Sequence, residues 1–372
     1  MQAYDESRRH FLRLAGGAVV GFMIVQGTGC ESNSVEPLTT GADVPFLTPI
    51  SSFYYKNGAE GSIARWTMPV IDSGAWRLTI DGLVQTPLSI TYQDILDEES
   101  RSAVKLLKTM RCVIDSNEVQ GLIGTAVWTG VPLRIFLDRA GIQTAQAKRL
   151  RFYGADTFGN NIQIGRIYGT PTPDLVDPLL VTHMNGSPLP AQHGFPVRLI
   201  LHEGYGYKNV KWLSRVEVTA NDLPFGTYQD EGFVDDGVMR VNSRMTNPLT
   251  NAQVAVGTIK CVGFAVSGAS GIGTVEISVD GGPFTPVVIR SQDTVMSTDS
   301  QLASTIQALN PAQFPYPFRG VWAQWEFSTT LTAGPHTIGI RATDQAGNVQ
   351  PDSDDDISDG INAIPTVHIT AV

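Results

Sequence analysis

Hydrophobic positions along the chain follow two regimes. Between residues 76 and 219, alternating runs are interleaved with helical ones. Trp76–Leu83 alternates apolar and polar side chains and then meets Asp81-Gly82, which predicts a strand leading into a hairpin turn. Thr91–Leu96 and Leu133–Ala140 read as short helices; Gly141 closes the second, because glycine accepts the left-handed conformation that ends a helix. Leu150–Tyr153 and Asn161–Ile167 read as a strand pair around the turn Asp156-Thr157-Phe158-Gly159-Asn160, with further strands at Val197–Ile200 and Val216–Thr219. After residue 235 the helical period is lost. Thr274–Val279 alternates into Asp280-Gly281-Gly282, a hairpin signal, and Val321–Phe327 and Thr337–Thr343 alternate likewise. The pattern predicts an α+β domain over residues 45–235 and an all-β, immunoglobulin-like sandwich over 236–372.

Residues 1–44 follow neither regime. Ser7-Arg8-Arg9-His10-Phe11-Leu12-Arg13 is a twin-arginine signature. The apolar run Leu14–Val25 behind it is shorter than the ~20 residues a membrane-spanning helix needs. Together they predict a twin-arginine export signal over 1–30, a polar linker over 31–44, and a periplasmic or exported mature protein. Gly27-Thr28-Gly29-Cys30 resembles a lipoprotein processing site, which leaves two readings open: a lipid anchor at Cys30, or simple cleavage nearby.

A chain of 372 residues is long for one core, so two domains are expected. The net charge of -10 argues against nucleic acid as a partner, since no basic stripe is available to replace counterions. Against that acidic background, Thr182–Leu213 is oddly composed. His183, Asn185, His193, Arg198, His202, Lys208 and Lys211 sit there among Gly, Pro and aliphatic residues. Cations in apolar surroundings need partners, so the segment predicts an anionic guest; the alternative is a surface loop of solvated side chains. Cys112 and Cys261 could pair only if the two domains bring them together, and Cys261, inside an alternating run, reads more simply as a small buried hydrophobe. Asp352, Asp354, Asp355, Asp356 and Asp359 lack calcium-loop spacing and read as a solvated loop.

Several ordered motifs belong together. They are Thr109-Met110-Arg111-Cys112-Val113, the A-V-W-T-G-V-P-L run from Ala126 to Leu133, H-G-F-P-V-R from His193 to Arg198, and V-K-W-L from Val210 to Leu213. The tail adds S-V-D-G-G, the Trp322/Trp325 strand and R-A-T-D-Q-A-G-N-V-Q-P from Arg341 to Pro351. With these the chain resembles the sulfite oxidase family of molybdenum enzymes. The resemblance implies a molybdopterin-binding catalytic domain followed by an immunoglobulin-like dimerisation domain, hence a homodimer. It implies a molybdenum-molybdopterin cofactor with Cys112 as the one protein thiolate, a soft ligand suited to a metal already held by sulfur. It further implies that His193, Arg198 and Lys211 hold the pterin and its phosphate, with Asn185 and Asp156 lining the pocket and Lys208 among the donors. For three of these a plainer role stays open: an inert buried thiol at Cys112, a satisfied core imidazole at His193, a turn residue at Asp156.

The substrate end departs from the family pattern. Arg65-Trp66-Thr67-Met68-Pro69 takes the place of an R-N-H-x-P run, which keeps Arg65 as an anion-binding candidate and replaces the histidine by Thr67. Val113-Ile114-Asp115-Ser116-Asn117 stands where A-G-N-R-R would follow the cysteine, so two cations are missing and Asp115 is added. The tyrosine before the G-F pair is also absent: Asp230 and Glu231 precede Gly232-Phe233, with Tyr228 slightly upstream. Arg111 compensates only if its side chain turns inward. Cys112, Arg65 and Arg111 are therefore the candidates for the reacting end. The leading expectation is two-electron oxygen-atom transfer. No C-x-x-C-H haem motif is present, so electrons are exchanged with a separate carrier such as a c-type cytochrome. One alternative is reduction of an S-oxide or N-oxide. Another, of a different class, is a non-catalytic surface protein with a vestigial pterin site.

Overall fold

The computed structural model describes residues 44–56, 68–115 and 121–372. The twin-arginine signature, Cys30, Arg65, Thr67 and Asn117 lie outside the described residues. Two sheets build the first half of the chain. In one, the order is Leu88–Thr91, Arg77–Gly82, Leu213–Thr219, Arg149–Gly154, Gly159–Gln163; the second and third strands are parallel and the rest antiparallel. In the other, Val104–Arg111, Ile123–Pro132, Leu179–Met184 and Ser187–Pro188 run in order, with Arg198–Ile200 also paired to Leu179–Met184. The helix Tyr92–Ser102 starts at a capping box in which Thr91 and Asp94 satisfy each other's backbone N–H. The helix Leu133–Ala140 ends at Gly141, whose φ of 68° is the left-handed turn that glycine permits.

The second half folds as two facing sheets. One holds Asn242–Asn247, Gly257–Val266, Ala323–Leu331 and Val288–Ile289; the other holds Ala252–Val254, Thr366–Ala371, Gly334–Asp344, Ile272–Val279 and Thr285–Pro286. Trp325, Cys261, Ile277, Ile338 and Ile340 fill the space between them. Two short helices that the alternating pattern hides, Gln292–Met296 and Ser300–Gln307, begin at Ser291 and Asp299, whose side chains accept from Thr294 N and Leu302 N.

One expectation is corrected, and one open alternative is closed. Asn161–Ile167 is not one strand: pairing stops at Gln163, and Gly165–Tyr168 forms a helical turn with Tyr168 N donating to Ile164 O at 3.0 Å. Arg166 on that turn pairs with Glu203 at 2.5 Å, a contact a continuing strand could not reach. Cys112 and Cys261 are both free, each buried in a different core, so no disulfide joins them.

The two halves share one core. Leu106, Trp128 and Ile200 of the first pack in the same cluster as Phe264, Val266 and Trp322 of the second. Residues 44–56 lace across the seam. Val44 O accepts from Gln324 Nε2 at 2.6 Å and Phe46 O from Trp322 Nε1 at 3.1 Å; Thr48 N donates to Thr125 O at 2.8 Å. This stitching brings Tyr54, Tyr55 and Lys56 over the end of the strand Val104–Arg111. No described helix is long and apolar enough to cross a membrane.

Candidate active site

At that strand end lies a cleft of ≈ 710 Å³ lined by three groups of residues. Met110 and Cys112 form one. Successive side chains of an extended chain point to opposite faces, so Met110 and Cys112 face the cleft while Arg111 between them faces away. The Cys112 thiol is held by a tight turn in which Asp115 N donates to Cys112 O at 3.0 Å, and by Cys112 N donating to Leu122 O at 2.9 Å. Burial pushes its pKa up; Lys56 and the Ile114 N–H pull the other way. A thiolate there therefore calls for a cationic guest.

His193, Arg198, Asn209 and Lys211 form the second group. Arg198 begins its strand fully buried and bridges two loops, Nη1 donating to His193 O at 2.9 Å and Nη2 to Asn209 O at 3.1 Å. Its guanidinium lies 5.0 Å over the Trp128 ring, and its Nε finds no hydrogen-bond partner among the described residues. Burial lowers its pKa to about 9. Lys211 Nζ donates to Gln192 O at 3.0 Å and Lys56 O at 3.2 Å, and lies 4.4 Å over Trp212. Desolvation, then the Arg198 charge, pushes Lys211 well down. His193 is held neutral, its pKa lowered to about 3 by burial and then by Arg198 and Lys211. Its Nε2 also lacks a partner among the described residues. Gly194 permits this cluster: at φ 108° it stands where a Cβ would lie 3.1 Å from both Arg198 Cβ and Lys211 Cβ.

The remaining lining residues are mostly aromatic. Tyr207 and Tyr228 stack at 4.8 Å, with Phe158 edge-on to Tyr228 at 6.2 Å. Tyr54, Tyr55 and Asp156 also line the cleft. Asp156 Oδ1 accepts from Phe158 N at 3.2 Å, an Asx turn, and burial raises its pKa. Composition of the segment Thr182–Leu213 had pointed to Arg198, Lys211 and His193. The aromatic wall has no local sequence signal, because Phe158, Tyr207 and Tyr228 come from three separate segments.

Three candidates stand elsewhere. Arg111, fully buried, turns its guanidinium toward Asp115, Tyr205 Oη and Asn362, so it does not supply a cation to the cleft. Asp115, in turn, adds no free negative charge: both its oxygens also accept from Arg244, at 3.2 and 2.9 Å. Asn185 is a turn residue at φ 46° that accepts from Val127 N and donates to Thr48 O, away from the cleft. Lys208 donates to Asn161 O at 2.9 Å and lies 3.9 Å from Asp235, while its neighbour Tyr207 takes the cleft side. Lys56 also lines the cleft.

Such a cleft, with a soft sulfur donor at its floor and buried cationic and imidazole nitrogens left open, fits a sulfur-ligated metal carried on an anionic organic group. Comparison with known proteins agrees. Residues 65–226 match the oxidoreductase molybdopterin binding domain, and 236–359 the Mo-co oxidoreductase dimerisation domain. The chain is 29% identical to the sulfite oxidase of Gallus gallus over 343 residues, covering 83% of this chain and 69% of that one. It is 27% identical to the sulfite oxidase of Arabidopsis thaliana, covering 87% of each. To the NADH nitrate reductase of Solanum lycopersicum it is 27% identical, but it spans only 39% of that protein's length. Among solved structures, the sulfane dehydrogenase SoxCD of Paracoccus pantotrophus superposes with a TM-score of 0.67 at 21% identity, over 86% of this chain and 80% of that one, a likeness of fold. The protein is a molybdopterin-dependent oxidoreductase. It belongs to the sulfite oxidase family, with a molybdenum-molybdopterin cofactor and a second domain of the kind that supports homodimerisation. That excludes the reading as a non-catalytic surface protein.

Proposed function

We propose that this is an exported enzyme that carries out two-electron oxygen-atom transfer at the Cys112 end of the cleft and exchanges electrons with a separate carrier, such as a c-type cytochrome. The carrying observation is the Cys112 thiol in one cleft with Arg198, Lys211 and the open Nε2 of His193. When bound, the molybdenum-pterin group supplies the two-electron exchange. Cys112 supplies the protein sulfur ligand. Arg198 and Lys211, already desolvated, hold the anionic part of the group without having to shed water when it arrives, and neutral His193 offers Nε2 as a further hydrogen-bonding atom. Tyr207, Tyr228 and Phe158 exclude water from the opposite wall.

With Arg111 and Asp115 both tied into ion pairs, Lys56 joins Arg198 and Lys211 as the cations that line the cleft among the described residues, and an anionic or neutral oxygen-bearing substrate is expected there. The test is turnover of sulfite against a panel of S-oxides and N-oxides with an artificial electron carrier, on protein from a molybdenum-replete host. About one molybdenum per chain and turnover of at least one member support the reading; absence of the metal sinks it. A mass measurement of the mature N-terminus tests export, and whether Cys30 carries lipid.

A further inference from the structure

Tyr54 brings a further buried polar atom to the cleft. Tyr54 is 6% exposed, and its hydroxyl is fully buried with no hydrogen-bond partner among the described residues. A buried hydroxyl left unsatisfied costs stability, so its retention at a cleft wall points to a guest that satisfies it. The ring is fixed: it stacks on Phe53 at 5.7 Å and 12°, and Phe53 is clamped edge-on by Trp128 and His193, each at 5.7 Å. Gly206 leaves the hydroxyl room, since a Cβ there would lie 2.8 Å from Tyr54 Oη and 3.4 Å from Arg111 O. Gly206 thus sits between Tyr54 Oη and the carbonyl of the residue that precedes Cys112, and Tyr54, Gly206 and Cys112 line the same cleft.

We infer that Tyr54 is a substrate-binding residue whose hydroxyl donates a hydrogen bond to an oxygen atom of an oxyanion or oxide bound beside Cys112. This assignment rests on the proposed function. A phenol stays protonated across the working range of such an enzyme, so it recognises oxygen without adding charge to the cleft. The family's tyrosine before Gly232-Phe233 is missing from that place in this chain, whereas Tyr54 comes from the segment that laces the two halves together.

The test compares wild type with Tyr54→Phe in molybdenum-loaded protein, by metal and pterin content, melting temperature, calorimetric affinity for inorganic sulfate as a non-reacting oxyanion, and steady-state kinetics. Because the hydroxyl has no partner among the described residues, the variant should keep metal, pterin and melting temperature. Sulfate affinity and kcat/KM should fall roughly ten- to a hundredfold, the effect of one buried hydrogen bond to a charged group. Loss of metal or pterin in step with activity would overturn the assignment, because the hydroxyl would then serve the cofactor. Unchanged sulfate affinity and kinetics would also overturn it. Should wild-type protein carry no molybdenum, the functional reading fails, and the sulfate measurement on that protein decides the role of Tyr54 by itself.

Discussion

Asp115 is where a single atom group ties the second domain to the turn that presents Cys112. Its carboxylate is fully buried and accepts from Arg244 Nη1 at 3.2 Å, Arg244 Nη2 at 2.9 Å, Arg111 Nε at 3.4 Å and Leu122 N at 3.0 Å. Asp115→Ala would leave two guanidinium groups buried without their carboxylate. Breaking a buried pair from one side typically costs about 3–5 kcal/mol. A chain of 372 residues unfolds with an entropy of about 0.8 kcal/mol per kelvin, so the melting temperature should drop by about 4–6 °C. Differential scanning calorimetry reads this directly. Replacing the whole triad, Arg111→Met with Asp115→Leu and Arg244→Met, should restore most of the loss, because the desolvation cost of the charges goes with them. The reasoning is refuted if Asp115→Ala melts within 1 °C of wild type. It also fails if Arg244→Met costs as much in the Asp115→Ala background as in wild type, which would mean that the two groups do not couple.

Other perturbations probe the cofactor cluster and the buried imidazoles. Gly194→Ala puts a β-carbon at φ 108° against Arg198 and Lys211, so metal and pterin content should fall even where the chain still folds; full loading would show that the spacing of the two cations is unimportant. Arg198→Lys keeps the charge but cannot bridge His193 O and Asn209 O together, and pterin content should fall several-fold; normal loading would mean that only charge matters there. His202 is held neutral by burial, its pKa lowered to about 4, while the unfolded chain takes up that proton near pH 6.5. Its contribution is thus full above that pH and is lost as the pH falls towards 4, so metal-free protein should melt progressively lower on acidification. His202→Asn should flatten that slope, and an unchanged slope in the variant would refute the assignment.

Legibility in the sequence was uneven for physical reasons. Alternation and turn chemistry marked the strands, because Asp280-Gly281 and the Leu133–Gly141 helix carry their punctuation locally. The cationic cluster was legible too, because Arg198 and Lys211 lie close in sequence and apolar company exposes a buried charge. Arg111 misled for the converse reason. Nothing in its neighbours reveals that Asn362, 251 residues away, and Tyr205 draw it to the far face. Lys208 and Asn185 share a segment with real cleft residues, but the helical turn at Lys208 and the left-handed backbone at Asn185 point them elsewhere. Tyr54 has no local signal, since what marks it is an absent partner, a property of the folded molecule alone.

The account stands on Cys112 as the protein sulfur bound to molybdenum. X-ray absorption at the molybdenum edge tests this most directly, on wild-type protein and on Cys112→Ser. The expected result is one sulfur neighbour fewer in the variant, with an oxygen or nitrogen scatterer in its place. An identical sulfur shell in both proteins, or a wild-type chain with no molybdenum to excite, would contradict it.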